Sequence, residues 1–333
     1  MKIALFSIKS YDEEFFKKSN KDFGFELSFF ETKLNINTVE LAKGHDAICA
    51  FVNDDLSSEI LTVISNLGIK LILMRCAGFN NIDLKSAAEL GITIMRVPEY
   101  SPYAVAEHTL GMILNLSRKF HKAYNRTREG NFSLNGLMGF ELSKKTIGLI
   151  GTGKIAQVLI KILNGFGAKV IAYDPYPLTD KGDLDFEYTQ LEELYRSADI
   201  ISMHCPLNDK TFHMINSETI SQMKDGVIIV NTSRGGLLHT KDLIQGLKTK
   251  KIAGLAIDVY EEEADIFFED KSTSIIEDDS LMRLLSFPNV LVTGHQAFFT
   301  DVAMNNIVET TLNNAQSYLS QKLLDKNLVT AYG

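Results

Sequence analysis

Three groups able to move a proton or grip an anion stand directly after apolar runs of strand length. "GVIIVNTSRGG" delivers Arg234 ahead of two glycines, "AGLAIDVYEEE" delivers Asp258 and then Glu261, Glu262 and Glu263, and "NVLVTGHQAF" delivers His295. Singly, each is ordinary. A lone arginine is most often a surface ion-pair residue, three glutamates a solvated loop, and a loop histidine a locally hydrogen-bonded ring. Together they describe a hydride-transfer site. An arginine can hold a carboxylate through two parallel N–H···O bonds. Hydride reaching a carbonyl carbon builds charge on the oxygen, and an imidazole titrating near neutral pH can protonate it. A carboxylate bonded to an imidazole fixes its orientation and favours the protonated ring. The expected roles are Arg234 as substrate clamp, His295 as acid–base and Glu263 as its orienting partner. All three are expected on the carboxyl edge of a parallel sheet, where open α/β folds bind ligands.

A hydride needs a carrier, and "TIGLIGTGKIAQVLIKILNGFGAKVIAYDP" has the form of a dinucleotide site. An apolar strand, Thr146 to Ile150, enters Gly151-Thr152-Gly153-Lys154-Ile155-Ala156, where a helix starts. Gly151 permits the tight turn, Gly153 lets backbone approach a pyrophosphate, and Ala156 is small enough for the helix to press on the strand. The pyrophosphate would meet open N–H groups and the positive end of the helix dipole. A glycine turn alone is weak evidence, since flavin and nucleotide sites share it. The next strand, however, ends in Asp174, 21 residues beyond Gly153, the offset at which a carboxylate accepts from ribose hydroxyls. The same charge would repel a 2′-phosphate, so NAD is expected rather than NADP.

The elements that must position these groups alternate from end to end. "KIALFSI", "FELSFF", "DAICAFV", "KLILMRC" and "ITIMRV" form one series of strand-length runs. "TIGLIG", "AKVIAYD", "DIISMHC", "GVIIVNT", "AGLAIDV" and "NVLVTG" form a second. Helical patterns lie between them, as in "DDLSSEILTVISNLG", with N-cap candidates in Asp54 to Ser57 and a stop at Gly68. Such alternation implies parallel sheets covered by helices on both faces. The last strand of the second series is read as Phe287 to Val292. "SPYAVAEHTLGMILNLSRKF", opened by Ser101-Pro102, is expected to bridge two domains. The basic stretch Arg118 to Gly130 is read as the solvated end of a helix, and Val302 to Leu324 as a C-terminal helix.

Composition narrows the class. The chain has 333 residues, enough for two cores, with 45% hydrophobic and 23% charged residues, usual for a globular enzyme. A net charge of -8 argues against nucleic acid. Cys49, Cys76 and Cys205 are far apart and odd in number, which argues for a reducing compartment and against a disulfide frame or structural zinc. No run approaches the length of a membrane span, and "MKIALFSIKS" is too short in apolar residues for a signal segment. A cytoplasmic protein without metal or membrane partner is expected.

The ordered motifs "RCAGFNNID" (Arg75 to Asp83), "VPEYSPYAVAEHT" (Val97 to Thr109), "GTGKIA", "HCPL", "NTSRGG", "DVYEEE", "FFEDKS" and "TGHQAFFT" resemble the D-2-hydroxyacid dehydrogenases, and within them the bacterial D-lactate dehydrogenases. The resemblance spans nearly the whole chain. It implies an α/β fold of two doubly wound parallel-sheet domains, a Rossmann dinucleotide-binding domain at 101–298 inserted in a flavodoxin-like substrate domain formed by 1–100 and 299–333. It implies reversible NADH-dependent reduction of a 2-keto acid, closure of a cleft that excludes water, and a homodimer joined largely through the cofactor domains. Arg234, Glu263 and His295 match the family's catalytic arginine, glutamate and histidine. Tyr100, Phe298 and the backbone at Ala77 and Gly78 match substrate-binding positions. Gly151, Gly153, Lys154, Ile155, Asp174, Cys205, Pro206, Thr211, Thr232, Ser233, Arg234 and Asp258 match cofactor-binding ones. Ala156 departs from the third glycine of the fingerprint. The glutamates are chemically equivalent, and the family count from Asp258 selects Glu263. Cys205 also reads as an ordinary buried thiol, and His204 is given no catalytic role.

Bulky aromatics in "FFEDKS" and at Phe298 favour pyruvate, yielding D-lactate, over branched or aromatic 2-keto acids. A methylene in an apolar pocket is worth only about 1–3 kcal/mol, so the larger substrates stay as the alternative. Two readings of other classes are an NAD-sensing co-repressor, which the family also contains, and a nucleotide module without hydride chemistry. The first would carry an added peptide-binding or disordered segment, and the chain ends at Gly333 without one. The second leaves Arg234, Glu263 and His295 unexplained.

Overall fold

The computed structural model describes residues 1–330. The last three residues of the expected substrate domain, 331–333, lie outside the described residues. The chain divides into two compact units, residues 1–101 with those from 299 onward, and Pro102–Phe298.

The first unit is built on β1 (Lys2–Leu5), β2 (Glu26–Phe29), β3 (Ala47–Ala50), β4 (Leu71–Met74) and β5 (Thr93–Arg96). All pair in parallel in the order β2-β1-β3-β4-β5, the flavodoxin-like order. Residues of β3 and β4 are buried on both faces, as an apolar run without polar alternation requires of a covered parallel sheet. Helices α1 (Ser10–Ser19), α2 (Ser58–Asn66) and α3 (Leu84–Glu89) supply the layers. Ser57 precedes α2 as its N-cap residue and Gly68 ends it at φ +83°. The C-terminal helix, Asp301–Leu319, returns to this unit and buries Val308, Leu312 and Ala315 with Leu71, Leu73 and Met95. A short strand after it, Leu328–Val329, pairs antiparallel with β5. Two residues of tail gave no periodicity from which to read that edge.

The second unit holds β6 (Thr146–Ile150), β7 (Lys169–Tyr173), β8 (Glu187–Tyr188), β9 (Ile200–Met203), β10 (Val227–Asn231), β11 (Ile252–Ile257) and β12 (Val290–Val292). They pair in parallel as β8-β7-β6-β9-β10-β11-β12, the Rossmann order with its switch point between β6 and β9. β12 is shorter than the run Phe287 to Val292 suggested. Pro288 lacks an N–H for the ladder, and a turn closes there from Val290 N–H to the Phe287 carbonyl.

Helix α4 (Pro102–Arg118) was expected to bridge two domains, but it lies wholly in the second unit. Its Ala106, Met112 and Ile113 share a core with Ile147, Leu149 and Leu159. The basic stretch is not the end of that helix. Lys119 takes the left-handed conformation (φ 53°, ψ 40°) and starts a separate helix, α5 (Phe120–Arg128). Asn115 Oδ1 accepts from the His121 amide (3.2 Å) and bonds its ring Nδ1 (2.9 Å), fixing the kink. Helix α6 (Lys154–Gly165) follows the glycine turn. No helix among the described residues is long and apolar enough to cross a membrane.

Candidate active site

Three neighbouring strands, β10, β11 and β12, bring Arg234, Glu263 and His295 to the carboxyl edge of the second sheet. His295 Nδ1 lies 2.7 Å from Glu263 Oε1. Glu263 Oε2 accepts the Tyr260 amide at 2.8 Å, so both carboxylate oxygens are fixed. The run of glutamates resolves by geometry. Glu261 turns the other way, binding the His213 ring and, through Oε2, the Thr240 hydroxyl at 2.8 Å. Glu262 is exposed. His295 Nε2 makes no hydrogen bond to the described residues.

The turn that presents this ring is constrained. His295 has φ +54°, a left-handed conformation that costs a residue with a Cβ about 1–2 kcal/mol. Asp258 holds the turn in place. Its backbone carbonyl accepts the His295 amide at 2.7 Å. Its carboxylate accepts the Gln296 and Ala297 amides, both at 2.9 Å, and the Thr293 hydroxyl, with His108 Nε2 at 3.3 Å. Burial alone would raise the Asp258 pKa, but the bonds from His108, Thr293, Ala297 and Gln296 outweigh it and hold the group below the usual carboxylate range. The family resemblance placed Asp258 among cofactor contacts. Its carboxylate is fully buried and both oxygens accept bonds from the histidine turn.

Arg234 precedes the short helical turn Gly235–Leu237. Its Nη1 donates to the Ser233 carbonyl at 2.7 Å, and no carboxylate among the described residues lies within ion-pair distance of its guanidinium. A guanidinium left with a neutral partner is suited to an incoming anion. Asn231, not singled out from the sequence, sets this loop: its Nδ2 donates to the Arg234 carbonyl (2.8 Å) and its Oδ1 accepts the Ser233 amide (3.0 Å). A Cβ on Gly235 would stand 2.1 to 2.4 Å from backbone atoms of Tyr260 and Glu261. The arginine loop therefore packs directly on the loop carrying Glu263, which only glycine allows.

The cofactor loop behaves as its composition demands. Gly151 has φ +99°, and a Cβ there would lie 2.7 to 2.8 Å from the backbone of His204 and Cys205. Above Gly153 there is open space, and α6 begins without a side-chain cap, so its first N–H groups are available to a pyrophosphate. Ala156 is fully buried against the sheet. Asp174 Oδ2 accepts from the Thr152 amide (2.7 Å) and hydroxyl (2.9 Å), tying the acid to the glycine turn. Asp174 Oδ1 accepts the Tyr176 amide at 2.8 Å. Lys154 and Ile155 open α6.

On the neighbouring side of the switch point, Ser233 Oγ donates to the Cys205 carbonyl (2.7 Å), and Thr211 Oγ1 to that of Pro206 (2.7 Å). The Thr232 hydroxyl bonds that of Thr109 (2.8 Å). The Cys205 thiol is buried and pushed up to about 11, an inert protonated group. Burial pushes His204 down to about 4, so its ring is neutral and bonded to Ser202 Oγ at 2.9 Å. Phe298 is half-buried, and the Phe268 ring lies 5.4 Å from that of His295.

Ala77, Gly78 and Tyr100 belong to the first unit. Arg96 Nη1 donates to the Ala77 carbonyl at 2.8 Å and the Cys76 thiol to that of Gly78 at 3.3 Å, which pins the loop after β4. The Tyr100 carbonyl accepts from Asn306 Nδ2 at 2.6 Å.

A Rossmann sheet with an imidazole–carboxylate pair and an arginine at its carboxyl edge defines a dinucleotide-dependent oxidoreductase. Residues 110–297 match the family model for the D-isomer specific 2-hydroxyacid dehydrogenase, NAD binding domain, and the chain belongs to that family. It is an NAD-dependent D-2-hydroxyacid dehydrogenase. The chain is 50% identical to the D-lactate dehydrogenase of Escherichia coli over 94% of its length and 95% of that protein. The apo structure of the Escherichia coli enzyme superposes with a TM-score of 0.89, covering 99% of this chain and 100% of the other at 46% identity. A D-2-hydroxyisocaproate dehydrogenase structure covers the same shares at 35% identity and a TM-score of 0.86.

Proposed function

We propose that the enzyme reduces pyruvate to D-lactate, with Arg234 gripping the substrate carboxylate and His295 donating the proton. The observation that carries this reading is the His295–Glu263 pair, whose geometry leaves Nε2 toward a ligand while Nδ1 is held at 2.7 Å. NAD supplies or takes up the hydride when bound. In reduction, the proton on His295 Nε2 passes to the substrate oxygen as that oxygen gains charge, and Glu263 stabilises the ring through both protonation states. In oxidation, neutral Nε2 takes the hydroxyl proton back. Arg234 fixes the keto acid by its carboxylate, which orients the carbonyl carbon for transfer. Tyr100, Phe298 and the backbone at Ala77 and Gly78 complete the proposed substrate contacts. The proposed NAD contacts are those of the glycine turn, with Lys154, Ile155, Asp174, Cys205, Pro206, Thr211, Thr232, Ser233, Arg234 and Asp258.

Pyruvate is favoured by the likeness to the Escherichia coli D-lactate dehydrogenase and by the aromatic rings of Phe268 and Phe298. The likeness to a D-2-hydroxyisocaproate dehydrogenase keeps bulkier keto acids as the second reading. A homodimer is supported by an exposed apolar band along α5 and the segment after it: Phe120, Tyr124, Phe132, Leu134 and Met138. Monomers seldom leave such patches uncovered. The test is NADH oxidation over pyruvate, 2-ketobutyrate, 2-ketoisocaproate and phenylpyruvate, with a chiral assay of the product. A kcat/KM maximum at pyruvate with D-lactate formed supports the proposal, and a maximum at a branched or aromatic acid moves the substrate to the second reading.

A further inference from the structure

The edge of the second sheet opposite His295 carries a cavity of about 370 Å³. Its floor is the set of residues that open the strands, Lys145, Asp199, Gly226, Ala253 and Asn289, and its wall is the kink between α4 and α5. Four lysines line it, Lys119, Lys122, Lys145 and Lys224, and all four are partly buried. Lysine ordinarily keeps its ammonium in water, because burying an uncompensated charge is costly. Compensation by carboxylates is incomplete here. Lys224 pairs with Asp199 at 3.1 Å, while Asp225 is drawn to Lys251 at 2.7 Å. Lys119 donates to the Gly136 and Met138 carbonyls, both at 2.9 Å, and Lys122 to the Pro288 carbonyl. Those acceptors are neutral. Lys145 lies over the Phe140 ring, 5.4 Å from its centroid.

Three ammonium groups thus line one cavity without a carboxylate in ion-pair contact among the described residues, and of the three only Lys145 is close enough to Asp199 to help lower its pKa. Their mutual repulsion registers in the neighbours. Burial and then Lys119 and Arg126 lower the Lys122 pKa, and burial and then Lys122 lower that of His121. We propose that this cavity binds a small polyvalent anion bearing two or more phosphate or carboxylate groups. The volume is within the range of small-ligand pockets. The charge pattern selects the class: ammonium groups on the wall (Lys119 and Lys122) and on the floor (Lys145) are matched by a ligand with several anionic groups rather than by one. The substrate and cofactor belong to the other edge of the sheet, so this is a second site. It also touches the elements that hold the first. Helix α4 ends at the cavity, and nearer its start His108 bonds Thr293 Oγ1 at 3.2 Å, beneath the catalytic turn.

The test is titration calorimetry with inorganic pyrophosphate, and in parallel citrate, on enzyme saturated with NADH so that the glycine turn is filled. The expected result is saturable binding of at least one of them, weakened about tenfold or more in Lys122→Gln/Lys145→Gln, with NADH turnover of the keto acid retained. Lys145→Arg keeps the charge and should keep the affinity. If the double variant fails to fold by circular dichroism, Lys145→Gln alone replaces it, since that ammonium anchors no hydrogen bond. Absence of saturable binding, or equal affinity in the Gln and wild-type proteins, overturns the proposal.

Discussion

Replacing Asp258 with asparagine tests whether the histidine turn is held by one buried carboxylate. Asn keeps the shape but only one acceptor oxygen. If that oxygen takes the place of Oδ1, the new NH2 faces the Ala297 amide; if it takes the place of Oδ2, the NH2 faces Gln296. Either way one buried N–H meets a donor. The loss of a charge-assisted bond, about 1.5–3 kcal/mol, adds to an unsatisfied buried donor, about 1–3 kcal/mol. The expected destabilisation is about 3–5 kcal/mol. For a unit of this size each kcal/mol moves Tm by about 2–4 °C, so the second unit should melt about 10 °C lower by calorimetry. Because the strained His295 backbone relaxes with it, kcat measured well below the new Tm should fall about a hundredfold, the scale of losing a placed proton donor. The effect also has a pH signature. A carboxyl group depressed in the folded state contributes stability that is present above its unfolded value near ~3.9 and is lost as pH falls through the folded value. Wild type and Asp258→Asn should therefore converge in stability on acidification below about 4. A variant with wild-type Tm and wild-type kcat would refute the positioning role.

Burial holds His204 at about 4 against 6.5 for a free imidazole, so its stabilising effect is whole above 6.5 and disappears as pH falls toward 4. His204→Gln should flatten that part of the stability curve, removing up to about 3 kcal/mol of acid sensitivity in urea titrations at stepped pH; an unchanged slope counts against a neutral buried ring. Gly235→Ala should lower kcat/KM about tenfold or more while NADH affinity by fluorescence titration stays near wild type, because its Cβ separates the Arg234 and Glu263 loops; normal kinetics would show that those loops yield freely. Gly153→Ala is the counterpart: open space around its Cβ predicts an unchanged Tm with weakened NADH binding, and equal affinity would mean that the cofactor does not approach this backbone. Asp174→Ala should loosen the glycine turn at Thr152 and narrow the preference for NADH over NADPH, read from the ratio of kcat/KM values.

Both sheets were readable because parallel strands covered on two faces need unbroken apolar runs, and β3, β4, β6 and β10 supply them. The glycine turn was equally open to reading, since φ +99° and the contact at His204 leave no other residue for Gly151. Other features depend on tertiary geometry. Nothing local marks Lys119 as left-handed: the break follows from an Asn115 side chain that reaches His121. Asp258 reads as a strand-end acid available to solvent or ligand, and only the returning turn of Thr293 to Ala297 shows its oxygens to be taken. Chemistry could not separate three adjacent glutamates, and family spacing pointed to Glu263. The backbone turn then sets Glu261 and Glu263 on different histidines. His108, Thr109 and Asn231 gave no signal of their own, because each works through a partner distant in sequence.

That run of glutamates has a consequence for how the gene can change. Three identical residues in a row can lose one member in frame with no change in the residues that flank them. Loss of one unit here leaves a protein that still shows two glutamates after Tyr260 and almost the same composition. Yet the residue arriving at the position that faces His295 would be Ala264, while the partner of His213 would be kept. Such a deletion would be hard to notice in a sequence comparison and would remove the carboxylate that orients the imidazole.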